Sequence, residues 1–149
     1  MRRSLLSIAA ALLLLAALGM PARASGPNLD LGAVLSLQAA SASKTSADEI
    51  NNYGRGVKCL VDVTAITGTS PTLTVAIRYK DTASGAYLTL LSSAALTAVG
   101  ATMLTVYPGV TPTSNASASD IVPHTWDVAA TVGGTSPSVT ATIGCSVVE

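Results

Sequence analysis

The chain has 149 residues, room for one domain once any processing is complete. Arg2, Arg3 and Arg23 fall in an N-terminal targeting segment, so the remainder carries five basic against eight acidic residues, a formal charge of −3. That balance offers nothing to a phosphate backbone and excludes a nucleic-acid partner. The Thr-, Ser-, Ala-, Val- and Gly-rich composition, free of Phe, favours pleated strands over helices.

Residues 1–24 have the three-part grammar of a secretory signal peptide. Arg2 and Arg3 precede an apolar run from Leu5 to Met20, Pro21 breaks it, and Ala22-Arg23-Ala24 supplies a cleavage site before Ser25. This hydrophobic helix is short for a membrane span of about 20 residues. An uncleaved anchor is the alternative, and the only route to a membrane. Residues 25–53 read as an N-terminal arm and loop. Within them Leu29, Leu31, Val34, Leu35 and Leu37 fit one strand or an extended arm, and Ser41 to Ser46 a loop.

Residues 54–149 carry the domain. Val57, Cys59, Val61, Val63 and Ala65 alternate with Lys58, Asp62 and Thr64, the pattern of a half-buried strand. Gly68-Thr69-Ser70-Pro71 breaks it, and Leu73, Val75, Ile77 and Tyr79 resume, so a hairpin is expected. The same grammar returns. Trp126-Asp127-Val128-Ala129-Ala130 answers Val61-Asp62-Val63-Thr64-Ala65, and Gly134-Thr135-Ser136-Pro137 answers the first turn with one residue more of spacing. Val139, Ala141, Ile143, Cys145 and Val147 form the last inward face. Between the two units, strands are expected near Ala86–Leu91 and Met103–Tyr107, and 108–123 is a long connection. The expected fold is all-β, an antiparallel sandwich or jelly roll with two similar hairpins.

Cys59 and Cys145 both point inward, and export permits a disulfide between them, closing a loop of more than eighty residues. Two buried free thiols are the alternative. Two cysteines are too few for a metal site made of cysteine alone.

No catalytic residues emerge. His124 is the single histidine, near Asp120 and Asp127, but no serine lies in a nucleophile-elbow setting. Asp62 and Asp127 occupy equivalent outward positions; a carboxylate pair is conceivable, though outward acids ordinarily keep strands soluble. No calcium loop, phosphate-cradling loop or dinucleotide fingerprint appears, and no cofactor is expected. Asn115-Ala116-Ser117 matches a glycosylation acceptor, a pattern common by chance. Lys58, Arg78 and Lys80 lie outward on the first hairpin; a small basic patch is conceivable, though three charges in a domain of net −3 ordinarily serve solubility. Trp126 with Tyr53, Tyr79, Tyr87 and Tyr107 is expected to fill the core, an exposed Tyr near the long loop being the exception to look for.

The run Gly54-Arg55-Gly56-Val57 through Val61-Asp62-Val63-Thr64-Ala65-Ile66-Thr67-Gly68-Thr69-Ser70-Pro71 resembles small proteins encoded among the structural genes of tailed bacteriophages. So do Lys80-Asp81, Ser84-Gly85, Tyr87, Leu104-Thr105-Val106-Tyr107-Pro108-Gly109, Ala118-Ser119-Asp120, Pro123, Thr125-Trp126 and Gly133-Gly134-Thr135-Ser136-Pro137. The resemblance spans Gly54 to Val148. It implies a β-sandwich virion component, capsid-decorating or tail-associated, without enzymatic activity. Its partners would be other virion subunits or further copies of itself, and its location the virion. The export signal and the cysteine pair depart from that family's pattern. They suit instead an exported bacterial module, periplasmic or extracellular, that binds a protein or glycan or builds extracellular assemblies.

Overall fold

A computed structural model describes residues 29–149. The signal or anchor segment, its hydrophobic helix and the cleavage position after Ala24 lie outside the described residues. Within them all regular structure is strand: β1 (Leu29–Ala40), β2 (Lys44–Thr45), β3 (Glu49–Ile50), β4 (Gly56–Lys80), β5 (Tyr87–Ser92), β6 (Gly100–Val106), β7 (Ser117–Ala118) and β8 (Thr125–Val148). They build one open sheet in the order β1-β8-β4-β6-β7, with β2 and β3 also on β8 and β5 on β4. Every pairing is antiparallel except the short parallel contact of β6 with β7.

The two expected hairpins do not form. β4 is one strand of 25 residues and β8 one of 24. They pair with each other along their length, from Gly56↔Val148 to Tyr79↔Trp126. The two Gly-Thr-Ser-Pro motifs lie side by side, with Thr69 opposite Thr135. Here each strand kinks rather than reverses. Gly68 and Gly134 have φ of 127° and 105°, while Ser70 and Ser136 have 50° and 49°. The register shifts on both sides of Thr69, as β-bulges do when they bend a strand. The close approach is reciprocal. A Cβ on Gly68 would stand 2.8 Å from the Ser136 carbonyl oxygen, and one on Gly134 2.6 Å from that of Ser70. Only glycine fits either position.

The rest of the chain follows the same bent path. β1, β2 and β3 run beside β8, from Leu29↔Val147 through Ala40↔Val139 and Lys44↔Ala130 to Ile50↔Thr125. The segment read as a strand or an arm is thus an edge strip of the sheet, bulged near Gly32 and Ala39, both at positive φ. β5 and β6 run beside β4, bridged at Leu73↔Leu96. Four strips result, each crossing the corner once.

Alternation places the apolar side chains. Val57, Cys59, Val61 and Val63 before the corner, and Leu73, Val75 and Ile77 after it, join Trp126, Val128, Ala130 and the inward residues of Val139–Val147 in one buried cluster. In β8 the inward parity switches from even to odd across Gly134, the effect of the extra residue in the second motif. Each buried Val, Leu or Ile contributes about 1.5–3 kcal/mol of gross transfer free energy. Trp126 is fully buried, but none of the tyrosines is: Tyr79 and Tyr107 are half-buried, Tyr53 and Tyr87 exposed. Valine, leucine and isoleucine supply the core volume expected of them.

Candidate functional site

Because the strips bend near their middle, Gly56↔Val148 at one end of them and Ile50↔Thr125 at the other bring the connections 51–55 and 107–124 and the residues after β8 together away from the corner. This loop end is pinned by hydrogen bonds. The buried Asn51 amide accepts from Gly54 N at 2.8 Å and donates to the carbonyls of Gly54 at 2.8 Å and Val122 at 2.7 Å. Its own backbone N–H donates to His124 O at 2.8 Å. Arg55 N donates to Val148 O at 2.8 Å, and Arg55 O accepts from Val122 N at 3.0 Å. A Cβ at Gly54 would overlap the Val147 side chain, and one at Gly56 the Val106 carbonyl, so the Gly-Arg-Gly step is dictated by close packing.

The long connection is ordered in the same way. Thr105 N and Tyr107 N donate to Ala116 O and Ala118 O, Gly109 N donates to Ser119 Oγ at 2.9 Å, and Ser117 Oγ donates to Thr111 O at 2.9 Å. The Arg55 guanidinium stands 6.0 Å from the Tyr107 ring centre, and the Tyr107 hydroxyl donates to Glu149 O at 2.7 Å. These loops, with the end of β3, display large apolar side chains to solvent: Tyr53 is 85 % exposed, Ile121 57 % and, in β3, Ile50 47 %. Tyr53 is the exposed tyrosine beside the long loop that the sequence told us to look for. A groove of about 560 Å³ opens at the same end, lined by Lys58, Thr105, Tyr107, Val110, Ser117 and Val148.

The residues singled out in the sequence disperse. His124 is exposed, its Nδ1 3.3 Å from the Thr125 hydroxyl, and it bonds no carboxylate among the described residues. Asp62 is exposed, but its counterpart Asp127 is 0 % exposed, so the outward-acid reading fails for it. Arg78 lies directly across from Asp127 and binds it bidentately, Nε to Oδ1 at 2.9 Å and Nη2 to Oδ2 at 2.5 Å. The basic patch does not form. Lys80 donates to Asp48 Oδ2 at 2.5 Å, Tyr87 OH to Asp48 Oδ1 at 2.7 Å, and the Arg78 guanidinium sits 4.5 Å from the Tyr87 ring centre. The hydrogen bonds from Lys80 and then Tyr87 hold Asp48 below the ordinary carboxylate range, and Asp48 holds Lys80 above the ordinary amine. The Ser84 hydroxyl and the amides of Ala83 and Ser84 lower Asp81 in its turn.

Cys59 and Cys145 are cross-strand partners, 4.1 Å apart at Cα with sulfurs 2.11 Å apart, and form a disulfide inside the core. Asn115 sits exposed at the tip of a turn with φ of 63°. Among the described residues no cluster of His, Cys, Asp or Glu could hold a metal ion, and no helix is long and apolar enough to cross a membrane. The loop end itself escaped sequence reasoning, because Asn51 ties its own turn to the Val122 carbonyl, 71 residues away. The one available signal was the density of Gly and Asn around Tyr53.

Comparison with protein-family models, with curated proteins and with solved structures found no match.

Proposed function

We propose that this protein is a non-enzymatic structural component that works through surface contact and assembly, of the capsid-decorating or tail-associated kind found in phage particles. The observation that carries this reading is the loop end, where Tyr53 and Ile121 stand exposed on loops already fixed by hydrogen bonds, beside the exposed Ile50 of β3. Exposed aromatic and aliphatic anchors on a pre-ordered surface favour association, since little conformational entropy remains to be lost on contact. The resemblance of Gly54–Val148 to phage structural-gene products points the same way. We further propose that the bent sheet closes as a two-layer sandwich. The support is a single buried cluster that draws on both sides of the corner.

Mass spectrometry of purified virions tests the functional reading. The protein is expected among the particle proteins; its absence there, with recovery from periplasmic extract, sinks it. In that event the reading becomes an exported module for binding or extracellular assembly, which the Cys59–Cys145 pairing favours because disulfides persist in oxidising compartments. A native N-terminus at Ser25 would support export, and an intact Met1 would oppose it.

A further inference from the structure

We infer that the loop end is a self-complementary interface at which two copies of this chain join about a two-fold axis, an inference that rests on the assembly reading above. A two-fold contact requires one patch to supply both halves of every interaction. This patch does so. Beside the exposed Tyr53, Ile121 and Ile50 it carries Arg55 and Lys58 of one sign, and Glu49, Asp120 and Glu149 of the other. None of these five charges forms an ion pair among the described residues, whereas Arg78 and Lys80 are already engaged by Asp127 and Asp48. Cations and anions mixed in one patch match a second copy of the same patch better than a uniformly acidic or basic partner. Tyr53 and Ile121 supply the apolar anchors, and the groove beside Tyr107 and Val110 gives them a concave surface to enter. Asn51 keeps both loops in place before contact, so association needs no prior folding of either.

Sedimentation equilibrium of the purified protein tests this, and exposed positions make the variants safe for the fold. The wild type is expected to form dimers. Tyr53→Ala is expected to weaken dimerisation about tenfold or more, as loss of a central aromatic anchor does. Lys58→Glu makes the patch net acidic and Asp120→Lys makes it net basic. Each alone sets like charges against each other and is expected to dissociate the dimer, about tenfold or more. An equimolar mixture of the two is expected to recover dimers, now of mixed composition. A monomeric wild type at high concentration overturns the inference. So does a dimer that the three variants leave unchanged, or a mixture that stays monomeric while circular dichroism shows each variant folded. A monomer that is nevertheless present in virions would remove this inference and leave the assembly reading standing.

Discussion

The two halves of the bent sheet begin from nearly the same sequence and end in different environments. Before the corner, Val61-Asp62-Val63 in β4 puts its aspartate on an open face, opposite Ala101 and Thr142. In the other half, Trp126-Asp127-Val128 in β8 puts the equivalent aspartate opposite Arg78, with Ser46 bonded to Val128 alongside. Asp127 is fully buried and bidentate; Asp62 is exposed, and its carboxylate has no hydrogen-bond partner among the described residues. One half is held through its core by the Cys59–Cys145 disulfide. The other is held on its outer face by a cluster that links β4, β5, β8 and the segment before β3. Position in a repeat therefore does not decide what an acidic residue does. Its cross-strand neighbour does.

Removing the disulfide should have the largest effect on this contrast. Replacing Cys59 and Cys145 by alanine opens a loop spanning 86 residues. The loop-entropy relation gives a loss of about 4–5 kcal/mol, read as a fall in the urea midpoint. Asp127→Ala comes next. It strands a partly buried guanidinium whose side chain is 25 % exposed, and discounting for that exposure the loss is about 2–3 kcal/mol. Asp62→Ala in the matching place should change stability by less than about 0.5 kcal/mol. Equal effects at the two aspartates would break the comparison.

Gly134→Ala tests the corner that separates the halves. With φ at 105° and the Ser70 carbonyl oxygen 2.6 Å from the new Cβ, it should lose about 2 kcal/mol. Gly85→Ala, at positive φ but in open space, should lose less.

The smallest effect is the pH dependence of the Asp48–Lys80 pair. The Asp48 carboxyl is held below its unfolded value, so its contribution is present above about pH 4 and disappears as pH falls through the lower folded value. Lys80 is held above its unfolded value, so its contribution is present below about pH 10 and disappears as pH rises through the higher folded value. Thermal melts of the wild type and Asp48→Asn should differ at neutral pH and converge in strong acid.

Much of this fold was legible in alternation. The inward faces of Val57–Val63, Leu73–Ile77 and Val139–Val147 follow from period-two patterning, as does the inward placing of both cysteines. The bend was not legible. Gly-Thr-Ser-Pro announces that the chain leaves extended geometry, but the same residues serve a reversal and a kink. Which one forms depends on the second motif, 66 residues further on, that here stands beside the first and closes the ladder around it. The Asp127–Arg78 pair is hidden in the sequence for a related reason. Residue types and faces are visible in alternation, their apposition only in the register. Volume alone argues for tyrosines in the core, but their hydroxyls favour the rims and loops where Tyr87 and Tyr107 find Asp48 and Glu149.

Nuclear Overhauser contacts between α-protons test the continuous β4–β8 pairing most directly. Cys59–Cys145 is a narrow pair, 4.1 Å at Cα, and Val75–Ala130 is another, since the backbone of Val75 bonds Ser93 on its far side. Strong contacts are expected across both pairs, one on each side of the corner. A Val75 α-proton that instead faces Thr64, with no contact to Ala130, would restore two separate hairpins and contradict the bent sheet.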